Sequence, residues 1–98
     1  MAGHAAEADD RFGDDYLYFF GEMLGSHPDA EADLIWRLLD LEPGMDVLDL
    51  ACGFGRIANE LAGRGCQVTG LDAVSLLLAR ARGDAAERGV PVTYVQGD

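Results

Sequence analysis

A carboxylate, a glycine turn and a second carboxylate hold the chemistry legible in these 98 residues. The stretch VLDLACGFGR sets Asp49 in a compact apolar run, follows it with a turn containing Gly53 and Gly55, and opens an amphipathic segment at Arg56. Glycines let a backbone pass close to a ligand, and the free N–H groups of a helix start attract negative or polar ligand groups. Asp72 comes nineteen residues after Gly53 and ends a second apolar run, where a carboxylate can accept both hydroxyls of a ribose. Together these features predict a cradle for a nucleotide-like molecule.

Two cofactor classes compete for such a cradle. GFGRIA, residues 53–58, satisfies the GxGxxA form of the dinucleotide fingerprint, which would make the chain part of an NAD(P)-dependent oxidoreductase. Asp49 weighs against that reading, because a doubly charged pyrophosphate at the helix start would meet a carboxylate four residues before Gly53. A cofactor with an ammonium group would be attracted instead. S-adenosylmethionine has one, with a ribose, an adenine and no phosphate.

The elements that position these residues follow from periodicity. Residues 46–51 read as a parallel strand covered on both faces, and Ile57, Ala58, Leu61 and Ala62 form the inner stripe of the helix after the turn. Cys66–Leu71 reads as a second strand, Ser75–Glu87 as a helix broken by Gly89, and Val92–Val95 as a third strand. Strand, helix, strand, helix, strand with short connections is a βαβαβ unit, the first half of a Rossmann-like doubly wound α/β fold. Upstream, Leu34, Ile35, Leu38 and Leu39 mark a helix that starts near Pro28, with an Asp33–Arg37 pair on its wet side. Tyr16, Leu17, Tyr18, Phe19, Phe20, Met23 and Leu24 predict a short helix before it. Residues 1–12 read as a disordered acidic start, 13–42 as a helical lid or cap, and 43–98 as a truncated half-domain.

Charge and composition narrow the partners. The net charge is −11, and residues 1–42 hold 11 acids against 2 arginines while residues 43–98 hold 7 against 5. A phosphate backbone needs a basic surface, so nucleic acid is not expected as a partner. No apolar run approaches the roughly 20 residues of a membrane span, and a cytoplasmic protein is expected. Cys52 and Cys66 fit neither a disulfide framework nor a metal site, and no metal is expected. Cys52 invites a nucleophile reading, but no histidine is near it in sequence, which favours a small loop residue. Plainer roles stand beside the ligand roles. Asp49 and Asp72 are each suited to capping the helix that follows, Asp98 to a turn, and Arg56, Arg80 and Arg82 to solvated helix faces.

From about residue 14 to 98 the chain resembles the class I S-adenosylmethionine-dependent methyltransferases. The family's first motif, DxGxGxG after an apolar strand, reads here Asp49, Leu50, Ala51, Cys52, Gly53, Phe54, Gly55, with Ala51 in place of the first glycine. The resemblance implies that Asp49 acts near the methionine amino group and that the backbone from Ala51 through Cys52 and Gly53 to Gly55 lines the methionine moiety. It implies Asp72 on the ribose, Ala73 beside the adenine, Asp98 at the adenine amino group, and an aromatic lid from which Tyr16 faces the cofactor.

The family sheet has strand order 3-2-1-4-5-7-6, with substrate on the side of strands 4 and 5. The resemblance therefore implies that the acceptor wall and any catalytic base lie outside these residues, in a longer protein or a second chain completing the sheet. A small-molecule methyl acceptor is the expectation. The strand at 46–51 should then expose its edge and leave the isolated chain inactive and partly molten or associated. A non-catalytic binding module of the same fold stands as an alternative.

Overall fold

Four short apolar runs form one parallel sheet in the computed structural model, which describes residues 17–20 and 28–97. The strands are β1 (Leu17–Phe20), β2 (Asp46–Leu50), β3 (Gln67–Asp72) and β4 (Val92–Gln96), joined by helices α1 (Pro28–Leu38), α2 (Arg56–Gly63) and α3 (Ser75–Arg88). Their order in the sheet is β1-β2-β3-β4. Steps in a single direction with right-handed crossovers put all three helices on the same face. That face, formed by Val47, Val68 and Tyr94, packs in one cluster with Ile35 of α1, Ile57 and Leu61 of α2, and Leu78 and Ala81 of α3. Alternation places Leu48, Thr69 and Leu71, all buried, on the opposite face.

The βαβαβ unit read from the sequence is present as β2-α2-β3-α3-β4, and Gly89 terminates α3 in a left-handed conformation, φ 69°. The helix faces are rotated from the expected stripes. On α1 the residues turned inward are Ala32 and Ile35, whereas Leu34 and Leu38 are exposed. Asp33 receives Arg64, the residue after α2, at 2.6 Å rather than its expected partner Arg37. On α3 the buried residues are Leu78, Ala81 and Ala85, and Leu76 lies outside at 79% exposure. A run of consecutive leucines does not say which of them meets the sheet. Only the packing angle decides that.

Two expectations for the N-terminal part are corrected. The aromatic segment contains a strand, not a helix, at Leu17–Phe20, and the edge of β2 is not bare because β1 pairs with it in parallel from Leu17 opposite Val47 to Phe20 opposite Leu50. A four-residue aromatic run suits a pleated surface, and periodicity over so short a stretch cannot separate strand from helix. The unpaired N–H and C=O groups along β2 supply the template. Residues 1–16 and 21–27, with Tyr16 and part of the expected lid, lie outside the described residues.

Without β1 the edge of β2 returns to the unpaired state. A chain of residues 28–98 is expected to elute from size-exclusion chromatography as oligomers and to melt less sharply than the full chain. A monomer with an unchanged melting curve would show that β1 contributes nothing to the sheet.

Candidate cofactor site

Register across the sheet builds the site. Asp49 of β2 lies opposite Gly70 of β3, and Gly70 lies opposite Tyr94 of β4, so the three share one row and one face. Gly70 has no side chain because that volume belongs to its neighbours. A Cβ there would stand 2.5 Å from Cε1 and 2.6 Å from Cδ1 of Tyr94, and 3.0 Å from Sγ of Cys52. The Tyr94 ring thus lies over Gly70. Its hydroxyl donates to Oδ1 of Asn59 in α2 at 2.6 Å, and Nδ2 of Asn59 donates to the Ala81 carbonyl of α3 at 3.4 Å. This buried network joins β4, α2 and α3 behind the glycine turn, and Gly55 touches the Tyr94 hydroxyl so closely that a Cβ would collide with it.

The loop from Ala51 to Gly55 is tied to the end of β3. Cys52 N–H donates to the Leu71 carbonyl at 3.0 Å, Gly53 N–H to Oδ2 of Asp72 at 2.8 Å, and Gly55 N–H closes a turn on the Cys52 carbonyl at 3.1 Å. The other oxygen of Asp72 accepts the Val74 N–H at 2.9 Å. Asp72 therefore organises two backbone segments at once. An ionised carboxylate offers about four acceptor positions, so lone pairs remain for a ligand. Ala73 is exposed beside it and its carbonyl accepts the Gln96 side-chain amide at 3.1 Å. Asp98 lies outside the described residues.

Asp49 is wholly buried, and neither of its carboxylate oxygens has a hydrogen-bond partner. Burial drives its pKa well above the ordinary carboxylate range, and the negative charge of Asp72 adds to the rise. The helix-cap reading of Asp49 is overturned, since a cap would accept backbone N–H groups. Cys52 is also buried, and its thiol pKa is pushed to about 12 by burial first and then by Asp49 and Asp72. The thiol stays protonated at neutral pH, which disfavours a nucleophile.

A second irregularity is conformational. Ala51 adopts φ 55°, a left-handed value, at the position where the resembled motif has glycine. A side chain in that region costs roughly 1–2 kcal/mol. Asn59, Gly70 and Tyr94 were not singled out from the sequence. A glycine inside a strand, the mark of a close approach by a neighbour, was the available signal.

A family model described as a methyltransferase domain matches residues 47–98, more than half of the chain. The chain belongs to this methyltransferase family. The family's cofactor is S-adenosylmethionine. Among relatives, the chain is 49% identical over 53 residues to the ubiquinone biosynthesis O-methyltransferase of Photorhabdus laumondii, a match covering 54% of this chain and 22% of that protein. It is 41% identical over 54 residues to the 23S rRNA (uracil(1939)-C(5))-methyltransferase RlmD of Ralstonia nicotianae, covering 55% of this chain and 12% of the relative. The TehB-like SAM-dependent methyltransferase of Corynebacterium glutamicum superposes with a TM-score of 0.61 at 32% identity, over 76% of this chain and 36% of that one. The chain thus spans about a fifth or less of the two sequence relatives and about a third of the structural one. Among the described residues no group of histidine, cysteine and carboxylate side chains is arranged to hold a metal, and no helix is long and apolar enough to cross a membrane.

Two substitutions test this candidate site in the ligand-free chain. Ala51→Gly relieves the left-handed strain and is expected to stabilise the fold by about 1 kcal/mol, less than the full strain because glycine also loosens the unfolded chain. For Asp49, folding raises the pKa, so the folded chain holds the proton more tightly. Its contribution to stability is fully present below the unfolded carboxylate's pKa, near about pH 4, and is lost as pH rises towards the raised folded value. Asp49→Asn should remove that decline and leave the chain more stable than the native one towards pH 7, because an amide has no charge to bury. Thermal melts of the native and variant chains from pH 4 to 8 check both the sign and the window.

Proposed function

We propose that this chain is the cofactor-binding part of an S-adenosylmethionine-dependent methyltransferase that acts in the cytoplasm on a small molecule. The observation that carries the proposal is Asp49, a buried carboxylate with neither oxygen partnered, beside a glycine turn at the carboxyl end of a parallel sheet. Such a group stays costly until a cation meets it, and the ammonium of the methionine moiety is a matching one. S-adenosylmethionine supplies a methyl group on a sulfonium, already activated for in-line transfer.

The protein's own task is positioning. Asp49 would hold the ammonium directly or through a water. The backbone from Ala51 to Gly55 would line the methionine moiety, with Gly53 leaving open space on its outer side. Asp72 would take the ribose hydroxyls on its remaining lone pairs while keeping Gly53 and Val74 in place. Ala73 and Asp98 would border the adenine, and Tyr16 would close over the site.

The acceptor wall is assigned to further chain or to a second chain completing the sheet. A small-molecule acceptor is supported by the charge of −11, which opposes docking on a phosphate backbone, and by the likeness to a ubiquinone biosynthesis enzyme. Likeness to an rRNA methyltransferase keeps RNA as the competing acceptor.

Calorimetric titration separates the methyltransferase reading from the oxidoreductase one. The chain is expected to bind S-adenosylhomocysteine and not NAD, and its affinity should rise with pH as Asp49 ionises across its raised range. Asp49→Asn should flatten that pH dependence and weaken binding about tenfold, the loss of one charge-assisted hydrogen bond. Binding of NAD in place of S-adenosylhomocysteine would overturn the proposal in favour of an oxidoreductase.

A further inference from the structure

Among the described residues, the glycine turn is hydrogen-bonded to β3 through its first half, by the N–H groups of Cys52 and Gly53. Phe54 follows at the tip, half-buried, with a glycine on either side. Two guanidinium groups address its ring. Cζ of Arg80, from α3, is 4.6 Å from the ring centroid, and Cζ of Arg56, the first residue of α2, is 5.5 Å from it. Both distances fall within the roughly 6 Å over which a cation is drawn to the electron-rich face of an aromatic ring.

Two like charges drawn to one ring repel each other unless each is compensated, and here each has its own carboxylate. Nε of Arg80 lies 3.7 Å from Oδ2 of Asp84 in the same helix, and Nη1 of Arg56 lies 3.7 Å from Oε1 of Glu31 in α1. Glu31 is an uncommon place for a carboxylate. It is only 9% exposed, and neither oxygen has a hydrogen-bond partner, so the neighbouring guanidinium is its evident compensation.

We propose that Glu31, Arg56, Phe54, Arg80 and Asp84 act as a strap across three helices that sets the position of the glycine turn, with Phe54 as its central positioning residue. The inference rests on the cofactor-site reading and deepens it. No side chain of the strap is assigned a contact with the ligand, so its effect on binding comes from holding the backbone of residues 51–55, Phe54 included, in place beforehand, which lowers the ordering cost of binding. The ring does this through its π face. Apolar bulk alone is not sufficient.

The experiment measures S-adenosylhomocysteine affinity by calorimetry and, independently, amide hydrogen exchange of residues 51–55 in the ligand-free chain. Phe54→Leu keeps the apolar bulk and removes the π face. It is expected to weaken binding about three- to tenfold and to speed exchange of the turn amides by a similar factor. Phe54→Tyr should restore both to the native values. Arg80→Gln, at a side chain 66% exposed and therefore safe for folding, should give part of the loss. Raising the salt concentration should accelerate turn exchange in the native chain more than in Phe54→Leu, because partly exposed charges are screened.

Native-like exchange and affinity in Phe54→Leu, or a Phe54→Tyr chain as impaired as Phe54→Leu, would overturn the strap. A native chain that fails to bind S-adenosylhomocysteine would count against the cofactor reading instead, and the exchange data would still decide the strap.

Discussion

An acid held without partners at the centre of a parallel sheet is the constraint from which the rest of this structure follows. Asp49 is flanked in register by Gly70, and the Tyr94 ring fills the space that a side chain at Gly70 would occupy. Bulk around the carboxylate excludes water, and exclusion of water raises its pKa. No helix cap or backbone N–H relieves it. A fold selected for stability alone would place an apolar residue there, as Val47 does two positions earlier on the same face. Retention of the carboxylate in that position is intelligible as preparation for a cationic ligand group.

The surroundings of Asp49 hold the glycine turn firmly enough for such a site. Asp72 receives one backbone N–H from the turn and one from the start of the next connection, so a single carboxylate couples the loops after β2 and β3. Tyr94 and Asn59 perform the same coupling from below with neutral groups, through a network in which the hydroxyl and both ends of the amide are engaged. Ala51 sits in a strained left-handed conformation against these constraints. Strained backbone and an unpartnered buried acid at one locus are two departures from local stability.

The topology carries a second consequence. Doubly wound sheets reverse direction beside their first strand, and ligands settle in the crevice that the reversal opens. In the described residues the strands step one way only, and β1 occupies the β2 edge at which such a reversal would begin. Among the described residues the helices are gathered on one face with Val47, Val68 and Tyr94, the arrangement of the first half of a doubly wound fold. The glycine turn, Asp49 and Asp72 are assembled entirely by β2, β3 and their loops, so this part of the site does not depend on the reversal.

Local spacing by itself determined the β2-α2-β3-α3-β4 unit, the places of Asp49, Gly53, Gly55 and Asp72 at strand ends and turn, and the left-handed stop at Gly89. Each of these rests on contacts within a few residues or on a short crossover whose handedness chirality prescribes. Tertiary structure alone decided the rest. Whether Leu17–Phe20 became strand or helix depended on a free edge presented by a strand almost thirty residues away. Which leucines of α1 and α3 turned inward depended on how those helices lie on the sheet. The roles of Gly70, Asn59 and Tyr94, and the gathering of Glu31, Arg56 and Arg80 around Phe54, depended on register and packing between elements distant in sequence. One-dimensional spacing does not encode such long-range geometry, so the motif could be read from the sequence while the shell that holds it in position could not.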